Sequence, residues 1–177
     1  MSGVSIKNLT RRKGVPRFAY TAIVKSALPD WDISLVFVGP VRARALNEQM
    51  RGKTYIPNVL SYALGTKSGE IIICLNEADK QATSHGMGRG TFVLYLFIHG
   101  VLHIKGWAHG ARMEACERNL LARFASRIGT PDGVPRIGTP DGVQGNNVRD
   151  YPHATTHSNR NRHRHIPSKN GRRRGTH

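Results

Sequence analysis

Acid is scarce in this chain. Its 177 residues hold 11 Asp and Glu against 27 Lys and Arg, a formal net charge of +16. Such an imbalance turns a protein toward polyanions, and RNA, DNA and ribosomal surfaces are the obvious ones. Cysteine is scarcer still. Cys74 and Cys116 are the only two, and no CxxC pair exists, so nothing suggests a disulfide framework. Both read as reduced, buried thiols of a cytosolic protein. Long apolar runs are also missing. The longest, Phe92 to Ile98, resumes after Gly100, is too short for a bilayer and is flanked by histidines. The opening MSGVSIKNLTRRKGVPRF is basic and lacks the apolar stretch of a secretory signal. The expectation is a soluble, cytoplasmic protein.

Composition shifts near residue 128. Residues 1–128 carry 18 basic and 8 acidic side chains; residues 129–177 carry 9 and 3, with almost no large apolar residues. The second segment cannot bury enough surface to offset its chain entropy, so it reads as a disordered basic tail. It opens with a tandem nonapeptide, RIGTPDGVP (Arg127–Pro135) and RIGTPDGVQ (Arg136–Gln144). Thr-Pro-Asp-Gly suits a type I turn, and two copies are too few for a solenoid. A local duplication is the simplest origin. The following NRNRHRH and NGRRRGTH can grip phosphates, and His163 and His165 can pick up metal adventitiously.

The first 128 residues read as one α+β unit. Helical spacing runs from Phe18 to Leu28 and stops before Pro29. Trp31–Val38 alternates and then turns wholly apolar, a strand. Pro40 suits the first position of a helix over Val41–Met50. Asn58–Leu64 and Gly69–Leu75 read as strands joined by a turn at Lys67-Ser68-Gly69, the second one interior. Asn76 can cap a short helix, Glu77–Thr83. Gly86, Gly88 and Gly90 mark a mobile loop. Thr91–Lys105 is apolar nearly all round, hence a buried helix, and Gly106 stops it. Met113–Arg127 closes the unit as an amphipathic helix, with Met113, Cys116, Leu120 and Phe124 on one face and a Glu114–Arg118 pair on the other.

Chemistry concentrates in HGVLHIKGWAH, His99 to His109, which holds three of the nine histidines. On a helix, His99 and His103 lie one turn apart on one face. Gly106 lets the chain reverse, and His109 can return to the same point. Three neutral imidazoles bind zinc or another late first-row ion, and three protein ligands leave a fourth position open, the pattern of catalytic sites. The spacing also matches the metzincin peptidase pattern HExxHxxGxxH. Gly100 stands where a peptidase needs its Glu general base, which argues against peptide hydrolysis.

HGVLHIKGWAHG resembles the signature of the YbeY family of endoribonucleases, approximately HGxLHLxGYDH. Three further blocks follow in family order: ALNEQMRGKTYIPNVLSY (Ala45–Tyr62) resembles LNxxyRgkdxxTxVLSF, GEIIIC (Gly69–Cys74) resembles the strand GDIvIs, and ARMEACERNLL (Ala111–Leu121) resembles the closing helix. The resemblance covers residues 17–127. It implies a mixed sheet of about four strands packed with helices and a metal site at a helix end. It implies one zinc ion per chain held by His99, His103 and His109, with Arg51 near the metal and suited to an RNA phosphate. It implies single-strand endoribonuclease activity in rRNA maturation, 16S rRNA 3′-end processing and ribosome quality control, with rRNA and the small ribosomal subunit as partners. Trp107-Ala108 replaces the family's Tyr-Asp, Glu70 replaces the Asp of the GDI strand, and Ile56-Pro57-Asn58 replaces the usual Thr-Asp.

The metal site makes phosphodiester cleavage chemically reasonable, with Arg51 offering forked N–H donors to developing charge. The general base is open: Glu70 and Glu77 are candidates by elimination, and His85 can act as an acid or an RNA contact. Two other functions remain at this stage. One is a non-catalytic ribosome-assembly factor with a structural metal, kept alive by Ala108. The other is a metallopeptidase.

Overall fold

A computed structural model describes residues 3–125 of the chain. The basic tail, the tandem nonapeptide and the last residues expected in the closing helix lie outside the described residues.

The order of elements is β1 (Gly3–Asn8), α1 (Tyr20–Ala27), β2 (Asp32–Val38), α2 (Pro40–Arg51), β3 (Val59–Gly65), β4 (Ser68–Cys74), α3 (Leu75–Ala82), a 3-10 turn (Thr83–His85), α4 (Arg89–Ile104) and α5 (Ala111–Ala125). The strands form one mixed sheet in the order β1-β2-β4-β3. β2 pairs in parallel with both β1 and β4, and β3 runs antiparallel to β4. The fold is α+β, with four strands and five α-helices among the described residues.

Strand alternation sorts the sheet into two faces. Ile33, Leu35, Phe37, Ile71 and Ile73 point into the main core, roofed by α1, α4 and α5. Val36, Val38, Ile72 and Cys74 point the other way, where Ala43 and Leu46 of α2 cover them. β4, buried on both faces, is interior as its β-branched run predicts. α4 is the central roof, with ten buried residues from Phe92 to Ile104. Each large apolar side chain buried there contributes about 1.5–3 kcal/mol, so this helix dominates the core. Its apolarity reflects that burial; no single helix among the described residues is long and apolar enough to cross a membrane.

Gly100 explains how closely α4 approaches the sheet. A Cβ there would meet side-chain atoms of Ile71 at 3.2–3.3 Å. Gly69 allows the same approach one turn on, where a Cβ would come within 2.9 Å of Ile104 and 3.1 Å of the Tyr62 carbonyl oxygen. Gly106 ends α4 in the left-handed region, at φ +87°.

Several expectations shift. β1 is an added element; no strand is expected before Phe18. Its partner β2 supplies the ladder that its six residues cannot supply alone. α3 begins at Leu75, directly off β4, with Cys74 as N-cap and no side-chain cap bond. Asn76 is therefore inside the first turn and caps nothing. α4 starts at Arg89, so Gly90 is helical and the glycine loop shrinks to residues 86–88. Cys74 is buried as expected, whereas Cys116 is only half-buried.

Candidate metal centre

α4 carries His99 and His103 at an i, i+4 spacing, and their Nε2 atoms stand 3.0 Å apart. The segment 106–110 brings His109 back to them. Its turn is set by two glycines of positive φ, Gly106 at +87° and Gly110 at +148°. The ring centroid of His109 lies 5.0 Å from that of His99 and 4.6 Å from that of His103. One ligand atom from each of the three lies within 4.8 Å of the others. His99 and His103 are half-buried and His109 is exposed, so the centre opens to solvent on the His109 side.

The outer nitrogens are committed. His99 Nδ1–H donates to Glu117 Oε1 at 2.7 Å, and His103 Nδ1–H donates to the Trp107 carbonyl at 3.0 Å. Carboxylate and carbonyl accept only, so each ring's proton sits on Nδ1. The two Nε2 atoms face each other across 3.0 Å. An approach this close needs either a proton shared by the two rings or a metal ion that draws both lone pairs. The donor set therefore fits a metal ion bound by neutral imidazoles, with their other nitrogens oriented from behind.

Glu117 is the residue the sequence reading missed. It is only 6% exposed, on the α5 face that also buries Met113, Leu120, Leu121 and Phe124. A carboxylate among four apolar neighbours at helical spacing is the signal that would have found it. Trp107, half-buried against the main core, anchors the return loop. Lys105 Nζ lies 5.0 Å from its ring centroid and the Arg112 guanidinium 4.5 Å. Ala108 is exposed on the same loop.

Arg51, Glu70 and Glu77 are held by contacts of their own. Arg51 ends α2, the helix that covers the face of the sheet turned away from α4. It donates to Asn47 Oδ1 at 3.5 Å and to the Tyr55 hydroxyl at 3.2 Å. Buried Asn47 in turn donates to the Tyr55 carbonyl at 2.9 Å and fixes that loop. Glu70 alternates with Ile72 and Cys74 on the α2 face of β4, opposite Tyr62 of β3. Glu77 pairs with Lys80 at 2.7 Å in α3. The acid that touches the histidines is Glu117, rather than either of these.

Position 100 settles what the metzincin-like spacing can do. It faces Ile71 in the core. A glutamate there would enter the sheet packing instead of the histidine centre.

Comparison with known proteins adds an independent line. The profile of a family described as Endoribonuclease YbeY matches residues 5–125. A protein of Paraburkholderia phymatum named Endoribonuclease YbeY is 32% identical over 129 residues, covering 67% of this chain and 82% of that one. One of the same name from Neisseria meningitidis is 34% identical over 123 residues, covering 60% and 71%. The solution structure of a Thermotoga maritima protein shares the fold, with a TM-score of 0.50 at 20% identity over 67% of this chain and 87% of that one.

Proposed function

Because the chain belongs to the endoribonuclease YbeY family, we propose that it is a zinc-dependent endoribonuclease that cuts single-stranded RNA during rRNA maturation. Its substrate is the 3′ end of 16S rRNA on the small ribosomal subunit, in the cytoplasm, and it serves ribosome quality control. The observation that carries the reading is the convergence of His99, His103 and His109, whose ligand atoms lie within 4.8 Å of one another with the first two Nε2 atoms 3.0 Å apart.

His99, His103 and His109 hold the metal. A zinc ion bound there supplies Lewis acidity toward a phosphodiester. Glu117 and the Trp107 carbonyl keep His99 and His103 in the tautomer that leaves Nε2 free to ligate. Glu117 thus gives the site a carboxylate behind one ligand although Ala108 has none. Arg51, braced by Asn47 and Tyr55, offers forked donors to a phosphate of the bound strand. The excess of 27 basic over 11 acidic residues draws the RNA in. Residues 1–128 form the nuclease domain and residues 129–177 a basic extension that adds phosphate contacts.

The test compares the full chain with His103→Ala. The expected result is about one more zinc per chain in the wild type, and cleavage of a single-stranded 16S 3′-end fragment that the variant lacks. Equal zinc in both proteins would overturn the site. Zinc without cleavage would return the chain to the assembly-factor reading.

A further inference from the structure

α4 carries more rings than the metal needs. Phe92, Tyr95, His99 and His103 follow one another at helical spacing along a single stripe. His85, the last residue of the 3-10 turn, lies back over its start. The His85 ring stacks on Phe92 with centroids 4.8 Å apart and planes 29° apart, and sits 6.5 Å from Tyr95. Phe92 and Tyr95 stack at 5.8 Å and 25°. Tyr95 stands 5.9 Å from His99. Phe92 is buried, Tyr95 half-buried and His85 exposed. A row of rings stacked or tilted face to face therefore runs from exposed His85 over buried Phe92 to Tyr95 and ends against the first histidine of the centre. Core packing accounts for Phe92. It does not account for an exposed imidazole laid flat beside a half-exposed phenol.

We propose that His85 and Tyr95 form a stacking platform for a nucleobase of single-stranded RNA, next to the phosphodiester that the histidine centre handles. This rests on the endoribonuclease reading. Single strands are gripped by ring faces as well as by charge, because every base presents a π-face. Tyr95 is one ring-to-ring step from His99, so a base on the platform brings its own sugar–phosphate to the centre. Gly86 adds no side chain next to the His85 ring. Partial desolvation lowers the pKa of His85, so the platform meets a base as a neutral ring at neutral pH. Exposed Arg89, at the start of α4, offers a cation to the neighbouring phosphate. Stacking of this kind tolerates any base, which gives the enzyme single-strand preference without a sequence code.

The test uses the full, zinc-loaded chain and short single-stranded RNAs carrying 2-aminopurine at each position in turn. Wild type is expected to quench the fluorophore at one position beside the cleavage point. Tyr95→Leu and His85→Leu are expected to lose that quench and to bind roughly tenfold more weakly, while Tyr95→Phe keeps both. An abasic nucleotide at the same position should weaken wild type by a similar factor and add nothing to Tyr95→Leu. That non-additivity is the outcome a merely structural ring would not give. Quenching that survives in both leucine variants, or an abasic penalty equal in wild type and Tyr95→Leu, would overturn the platform while leaving the nuclease intact. Failure of wild type to bind or cut any single strand would instead sink the endoribonuclease reading, and the platform with it.

Discussion

Glu117 Oε1 accepts a hydrogen bond from His99 Nδ1 at 2.7 Å across the packed faces of α5 and α4. The carboxylate is nearly out of solvent and holds the ring's proton on the nitrogen that faces away from the centre. Glu117→Gln can present its amide oxygen but not its charge, and Glu117→Leu can present neither. The expected loss in zinc affinity is about 10- to 100-fold for leucine and smaller for glutamine. Competition against a chromophoric chelator measures both, and equal affinities across the three proteins would remove Glu117 from the site.

Tyr62 has the only buried side-chain polar atom without a hydrogen-bond partner among the described residues. A buried hydroxyl left unsatisfied costs about 1–3 kcal/mol. Tyr62→Phe removes the hydroxyl and keeps the ring, so it is expected to raise stability by up to about 1 kcal/mol in urea denaturation. A lower midpoint would mean that the hydroxyl has a partner in solution.

Restoring a peptidase motif is expected to fail. Gly100→Glu forces a charged side chain onto Ile71, and a destabilisation above about 3 kcal/mol or loss of the fold should follow. Gly100→Ala is the milder control, where overpacking of about 1–3 kcal/mol is partly offset by helix propensity of about 1 kcal/mol. Thermal melts of the two variants rank these effects. A well-folded Gly100→Glu that cleaves casein would reverse this view of position 100.

Acid should weaken the fold through His85. Its pKa is lowered by burial, so on acidification the unfolded chain takes up the proton first. The stabilising contribution is complete above the unfolded value of about 6.5 and is lost as pH falls toward the folded value. His85→Phe lacks this linkage. Urea midpoints recorded between pH 7.5 and 5 should fall less steeply for the variant than for wild type, on the order of what one shifted imidazole supplies. Parallel curves would show that His85 titrates alike in both states.

Removing residues 129–177 takes away nine basic side chains and three acidic ones. RNA affinity at low salt should drop, and the slope of log K against log salt should become shallower. Zinc content of the three-histidine centre should not change. Filter binding across a salt series reads the first effect, and an unchanged slope would leave the tail without a part in RNA binding.

The centre was largely legible before the fold. His99, His103 and Gly106 form a local pattern, and helix geometry alone brings two imidazoles together. Glu117 was not legible, because the phase of α5 was drawn through Met113 and Cys116. The buried stripe actually runs through Met113, Glu117, Leu120 and Phe124, which leaves Cys116 half-exposed. One polar residue on an apolar stripe looks like an error of phase until its partner is known. β1 was hidden for a related reason. Val4 and Ile6 alternate over too short a span in a basic stretch, and the strand exists because β2 offers a parallel edge. Such a long-range pairing leaves no mark in local sequence. Asn76 misled because the cap rule assumes a loop before the helix, whereas β4 passes straight into α3 at Cys74.

The return loop has a consequence for mechanics. Two donors sit on α4, the third follows Gly106, and the acid behind the first belongs to α5. An ion held by all three histidines is therefore a cross-link between the end of one helix and the approach to the next. It closes a short loop in a chain whose two cysteines are free, much as a disulfide would. Fraying of α5 then costs a ligand's orientation as well as its own packing. Occupancy and helix order become one cooperative quantity, and chelation should be felt first as enhanced amide exchange along α5.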